Sequence, residues 1–213
     1  MTFRELLTRQ RLLAIIRGSD PDACVRTAEV LAESGVRLLE VSLTSTDAPA
    51  VLARVVEVLG DEVSVGAGTV LTADDARRVH DAGAAFAVTP ALGDGVTTAV
   101  ALGLPVLAGA LTPTEVLAAR DAGAVAVKVF PAASLGPGHV KALRDPFPDV
   151  PLVPVGGVDL AAVPRYFAAG ACAVGVGSPL TGDAPHGGDV AALRERAAAF
   201  VAATREGSAS WTS

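Results

Sequence analysis

Cysteine is scarce in this chain: two in 213 residues, Cys24 and Cys172, each set among apolar neighbours. That excludes a fold stapled by disulfides, and a reduced, cytoplasmic protein is expected. No secretory leader is legible, because Arg4, Glu5, Arg9 and Arg11 interrupt the N-terminal start. Basic clusters are missing too: 17 Lys plus Arg stand against 23 Asp plus Glu, a net charge of -6. Without clustered cations there is no counterion-release energy to gain on a phosphate backbone, so no nucleic-acid partner is expected, although small anions can bind locally. One uncharged stretch, residues 95–114, is long enough to suggest a membrane span. Thr97, Thr98, Gly103, Pro105 and Gly109 break it, so a buried helix and strand are expected and no membrane partner. His80, His139 and His186 lack partners at i, i+4, which argues against a metal site and for three surface histidines. There is no Gly-x-Ser-x-Gly turn, P-loop or dinucleotide fingerprint, and no cofactor is expected.

What the chain does have is apolar mass and a repeat. Hydrophobic residues make up 51% of it, ample for one large domain across residues 1–213. A helical pattern ending in a small residue and Gly, followed at once by an apolar, Val-rich run, recurs along the sequence. It appears at Ser34-Gly35, Ala82-Gly83, Leu102-Gly103, Ala122-Gly123 and Ala169-Gly170. Gly at this position accepts the left-handed backbone that ends a helix, and the run after it reads as a strand. With Leu12–Arg17, Val63–Gly66 and Pro151–Val155 added, the count reaches eight candidate strands. They alternate with helical patterns such as Ala48–Leu59, Ala73–Asp81 and Pro113–Asp121. Eight alternations predict an α/β fold, a single-domain (β/α)8 TIM barrel, in preference to an open doubly wound sheet. Residues 1–11 read as a short leading helix and residues 207–213 as a frayed tail.

Parity along the strands then assigns faces. In Ala124 to Phe130 the three valines share one parity, as expected under a helix layer, which points Lys128 into the barrel with Ala124 and Ala126. In Leu38 to Leu43, Leu39, Val41 and Leu43 take the helix side and Glu40 points inward. Buried charges lose several kcal/mol, on the order of their desolvation, unless they are paired, neutralised or used. One reading is a structural Lys128–Glu40 ion pair. The other is chemical: desolvation favours a neutral amine, which is a nucleophile able to condense with a ketone as a Schiff base.

Further candidates gather on the rim where the strands end. Arg17 closes the first strand, Thr69 follows the third, and Thr89-Pro90 closes the fourth. Arg17 can grip a carboxylate with two donors and Thr69 can donate to the same anion. Singly, Arg17 also fits a surface salt bridge and Thr69 the N-cap of the helix from Ala73. Gly156-Gly157 and Gly177-Ser178 end the seventh and eighth strands, where backbone N–H groups can approach a phosphate; a Gly-Gly pair also fits a plain tight turn. Ser134, in the sixth loop, could reach the same ligand or stabilise its own loop.

These residues resemble the class I aldolases that cleave 2-keto-3-deoxy-6-phosphogluconate and its galactonate epimer. The likeness runs from about Leu12 to about Gly182. It rests on Ala14-Ile15-Ile16-Arg17-Gly18, Leu39-Glu40-Val41-Ser42-Leu43, Gly66-Ala67-Gly68-Thr69-Val70, Val88-Thr89-Pro90, Val127-Lys128-Val129-Phe130-Pro131-Ala132, Pro154-Val155-Gly156-Gly157-Val158 and Gly175-Val176-Gly177-Ser178. The resemblance implies Lys128 as the Schiff-base lysine, Glu40 as the proton-transfer residue and Arg17 with Thr69 at the pyruvate carboxylate. It further implies Gly156, Gly157, Gly177 and Ser178 around the phosphate, a small phosphorylated keto acid as substrate, and a homotrimer. Many gluconate-type members have Arg where this chain has Thr44. The galactonate type has a small polar residue there, which leans the reading toward galactonate. Two rivals share the glycine turns: a cofactor-free sugar-phosphate isomerase or epimerase, and a non-catalytic phosphate-sugar binding protein. A 4-hydroxy-2-oxoglutarate aldolase would use the same lysine chemistry without the phosphate.

Overall fold

A computed structural model describes residues 1–206; the tail expected at residues 207–213 lies outside them. Its eight strands are β1 Leu12–Ile16, β2 Leu38–Ser42, β3 Ser64–Gly68, β4 Ala87–Val88, β5 Val106–Ala110, β6 Ala126–Val129, β7 Leu152–Pro154 and β8 Val174–Val176. All pair in parallel, in the order β7-β6-β5-β4-β3-β2-β1-β8. A parallel bridge between Val155 and Gly175 closes the ring. The helices are α1 Phe3–Gln10, α2 Pro21–Glu33, α3 Ala48–Leu59, α4 Ala73–Asp81, α5 Asp94–Ala101, α6 Pro113–Asp121, α7 Gly136–Arg144, α8 Val163–Ala168, α9 Ser178–Thr181 and α10 Val190–Glu206. This is a TIM barrel preceded by one short helix.

The repeat has the conformation that its chemistry requires. Gly35, Gly83, Gly103, Gly123 and Gly170 all have φ between 82° and 93°, so each helix stops on a left-handed glycine and hands over to a strand. Helix starts are equally local: Thr72 and Thr112 close capping boxes with Asp75 and Glu115. Thr72 is therefore the N-cap of α4, and Thr69 is released from the role that its position also allowed. Residues 95–114 resolve into most of α5 and then β5, and no helix among the described residues is long and apolar enough to cross a membrane.

Strand parity divides the core into two layers. Leu12, Ala14, Leu39, Val41, Val127, Val129, Val174 and Val176 pack outward under the helices. Leu13, Ile15, Leu38, Phe86, Val88, Leu107, Ala126, Val153 and Val155 fill the barrel. Ala124 departs from the expected pattern: it precedes β6 and packs against the outer layer, because the strand begins only at Ala126. Helix α1 stoppers the N-terminal end of the barrel, burying Leu7 in the inner cluster and stacking Phe3 on Phe86 with ring centroids 4.7 Å apart. With α1 packed on the inner cluster at that end, the barrel interior is reached from the C-terminal rim. Cys24 and Cys172 are free and buried, and burial pushes the Cys172 thiol up to about 12, which leaves it inert.

Candidate active site

The C-terminal rim opens on a cavity of about 500 Å³. Of the residues singled out by sequence, Arg17, Glu40, Thr69, Pro90, Lys128, Gly156, Gly157, Gly177 and Ser178 line it. Thr89 and Ser134 do not. Thr89 is fully buried beneath the rim, its hydroxyl accepting from the Gly109 N–H at 3.1 Å, so it ties β4 to β5. Ser134 is exposed in the short turn Ala132–Ser134. A hollow of about 540 Å³ lies at the opposite end of the barrel, and it contains no buried charged residue.

Lys128 and Glu40 are the two buried ionisable groups on the cavity floor, 5% and 1% exposed. Lys128 follows Ala126 on the inner face of β6, and its Nζ stands 5.0 Å from the centre of the Phe130 ring. None of the ion pairs among the described residues includes either group, so the structural Lys–Glu pair is not formed. The Glu40 Oε2 atom is buried with no hydrogen-bond partner. Burial pushes the Glu40 carboxyl above its ordinary range, and the charges of Lys128 and Arg17 pull it part of the way back. A carboxyl with raised proton affinity and an open lone pair is suited to taking and returning a proton. Space for it exists because residue 68 on the paired strand is Gly: a Cβ there would overlap the carboxyl and come within 2.6 Å of Glu40 Cγ.

Beside Glu40, two residues along β2, the fully buried Ser42 forms a hub that the sequence reading missed. Its Oγ lies 2.9 Å from Thr44 Oγ1 and 3.1 Å from Thr69 Oγ1, and accepts from Arg17 Nε at 3.4 Å. The available signal was parity, since Ser42 shares the inward face of Glu40. The hub converges the Arg17 guanidinium and two hydroxyls on one side of the floor, a donor set that fits a carboxylate. Thr69 is held at φ 61°, left-handed for a β-branched residue, a conformation that costs about 1–3 kcal/mol and recurs at functional sites. Across the cavity, Gly156 and Gly157 have φ of 94° and 73°. A Cβ on Gly157 would stand 2.6 Å from Ala133 Cβ, so the turn admits only Gly.

One histidine departs from its expected surface position, and another, exposed as expected, lies at the cavity. His139 Nε2 is 2.6 Å from the Leu111 carbonyl oxygen and is partly buried. His186 is solvent-exposed but lines the cavity. Among the described residues, no group of three His, Cys, Asp or Glu side chains could hold a metal ion.

The family model for KDPG and KHG aldolase matches residues 3–195. The 2-dehydro-3-deoxy-6-phosphogalactonate aldolase of Escherichia coli (strain K12) is 34% identical over 201 residues, covering 93% of this chain and 97% of that protein. A probable 2-dehydro-3-deoxy-6-phosphogalactonate aldolase of Rhizobium meliloti (strain 1021) is 37% identical over 194 residues, covering 90% of each. A solved structure described as native KDPGal superposes with a TM-score of 0.87 at 33% identity, covering 92% of this chain and 95% of that one. Matched almost end to end by the family model and by these relatives, the chain belongs to the KDPG and KHG aldolase family of carbon-carbon lyases.

Proposed function

We propose that this chain is a cytoplasmic class I aldolase that reversibly cleaves 2-keto-3-deoxy-6-phosphogalactonate to pyruvate and glyceraldehyde 3-phosphate through an imine on Lys128. The observation that carries the reading is the cavity floor itself, a buried amine and a buried carboxyl whose Oε2 has no hydrogen-bond partner, at the base of a cavity lined by glycine turns. The galactonate epimer is favoured by the names of the two relatives and by Thr44 on the Ser42 hub, a small polar residue at the position where many gluconate-type members have Arg.

In this mechanism Lys128 Nζ adds to the C2 carbonyl and water departs, leaving a protonated imine. That imine draws the electron pair of the C3–C4 bond as the bond breaks, while the Glu40 carboxylate takes the proton of the C4 hydroxyl and C4 becomes the aldehyde. Glyceraldehyde 3-phosphate leaves. The remaining enamine is protonated at C3 by the Glu40 carboxylic acid, and water hydrolyses the imine to pyruvate and free Lys128. Arg17, Thr69 and Ser42 hold the substrate carboxylate, which orients C2 toward the amine. Gly156, Gly157, Gly177 and Ser178 receive the phosphate, whose binding energy is remote from the reacting carbons and is expressed as orientation.

Borohydride reduction in the presence of pyruvate tests the reading directly. The chain has two lysines, Lys128 and Lys141, so peptide mapping is unambiguous. Label on Lys128 is expected; an unlabelled Lys128 refutes the imine and favours an isomerase. Turnover of the two C4 epimers, with the unphosphorylated 4-hydroxy-2-oxoglutarate alongside, identifies the substrate. We also propose a homotrimer, expected in sedimentation at about three times the 21.3 kDa chain.

A further inference from the structure

The turn Ala184–His186 lies after α9 and folds back over the exit of β1. Pro185 seats it. The residue is buried against Gly18 and Cys24, where a Cβ on Gly18 would stand 2.6 Å from Pro185 Cβ and 2.7 Å from Cys24 Sγ. Only a glycine at 18 lets the turn rest directly on the strand end, and Cys24 Sγ adds a weak bond to the Pro185 carbonyl oxygen at 3.6 Å. This seat carries His186 to the cavity wall, which Ser178 and Gly182 also line.

Ser19 then fixes the imidazole. Its backbone N–H donates to His186 Nδ1 at 3.2 Å, and its hydroxyl lies 2.9 Å from the same nitrogen. A backbone N–H can only donate, so Nδ1 presents its lone pair and the ring proton sits on Nε2. No described residue accepts from Nε2. The ring is thus held by one nitrogen and offers the other as a donor at the cavity wall.

Building on the aldolase reading above, we infer that His186 is a specificity-determining residue whose Nε2–H donates to a phosphate oxygen of the substrate. Position assigns the phosphate end in particular. Lys128 and Glu40 lie on the buried floor, whereas His186 is exposed on the wall of the same cavity, in a turn seated on the exit of β1; β1 pairs with β8, which runs directly into Gly177 and Ser178, so this part of the rim meets the substrate away from the bond that breaks. A phosphate is also the strongest acceptor that such a substrate carries there, and hydrogen bonds to an ionised acceptor are roughly twice as strong as neutral ones.

The test compares wild type, His186→Ala and His186→Gln on the phosphorylated keto acid and on the same keto acid lacking its phosphate. For His186→Ala, kcat/KM on the phosphorylated substrate is expected to fall about 10- to 100-fold, mainly through KM, and the preference for phosphorylated over unphosphorylated substrate to fall with it. His186→Gln, which retains an N–H donor, is expected to recover part of that preference. An unchanged preference, whether both substrates suffer equally or neither does, overturns the inference. Pyruvate-dependent borohydride labelling of Lys128 is run on all three proteins. Label retained in the variants isolates the result to His186, while absence of label in the wild type overturns the aldolase reading instead.

Discussion

Gly68→Ala is the sharpest perturbation that the barrel interior allows, because it adds one methyl group and no polarity. That methyl would overlap the Glu40 carboxyl and lie 2.6 Å from its Cγ. The backbone cannot yield easily: Gly68 pairs with Ser42 on one side and Val88 on the other. Glu40 must therefore rotate out of its position. Overpacking a close-packed core by a methyl group costs about 1–3 kcal/mol. For a chain of this length each kcal/mol corresponds to about 2–4 °C in melting temperature, so a drop of roughly 2–12 °C is expected by calorimetry. The kinetic effect should be larger. Displacing a catalytic group by about 1 Å can cost about 100-fold, and complete loss of positioned proton transfer about 100- to 10,000-fold. Steady-state pyruvate release, followed by coupled reduction, should show kcat reduced within that range and KM little changed. The double variant Gly68→Ala, Glu40→Asp tests the cause: a shorter acid relieves the overlap, so the two losses should be less than additive. A Gly68→Ala protein with wild-type kcat refutes the claim that Glu40 must occupy this space to act.

Glu40→Gln should lower kcat by about 100- to 10,000-fold while leaving pyruvate binding nearly intact. It also has a defined stability signature. The folded-state pKa of Glu40 is raised by burial, so its contribution is fully present below the ordinary value of 4.5 and is lost as pH rises through the folded value. Urea denaturation from pH 4 to pH 8 should therefore show wild type losing stability relative to the glutamine variant as pH increases; a constant difference would mean that the carboxyl is not desolvated. Arg17→Ala should raise KM for the keto acid about 10-fold or more, the worth of a charge-assisted hydrogen bond, and unchanged pyruvate affinity removes Arg17 from the carboxylate site. Ser42→Ala strips the hub from Arg17, Thr44 and Thr69 and should cost about 1–3 kcal/mol in chemical denaturation together with a raised KM. Loss of stability alone would leave Ser42 a structural residue.

The parity argument worked where both faces of a strand are enclosed. Val127 and Val129 against Ala126 and Lys128, or Leu39 and Val41 against Glu40, differ by the period of two that a strand imposes. That period alone points the amine and the acid into the barrel. It faltered at Ala124, which lies before the strand has begun and so has no enforced alternation. It was available for Ser42 as well, but a serine in a strand carries no charge to draw attention, and its value lies in partners that are 25 and 27 residues away. Loops carry no period at all. Ser134 and His186 both follow strands of the barrel, yet one lies away from the cavity and the other lines it. The difference comes from the seat of Pro185 on Gly18, a contact that spans most of the chain.

Local rules in the chain were enough to determine the alternation of helix and strand, the stops at left-handed glycines and the inward faces of β2 and β6. These depend on steric limits and hydrogen bonds within a few residues. Only the closed barrel decided that Lys128 and Glu40 share a floor without pairing, that Ser42 gathers Arg17 and Thr69, and that His186 reaches the rim. Such relations depend on packing between segments far apart in sequence, where the size of a single side chain, as at Gly18 or Gly68, determines what can approach.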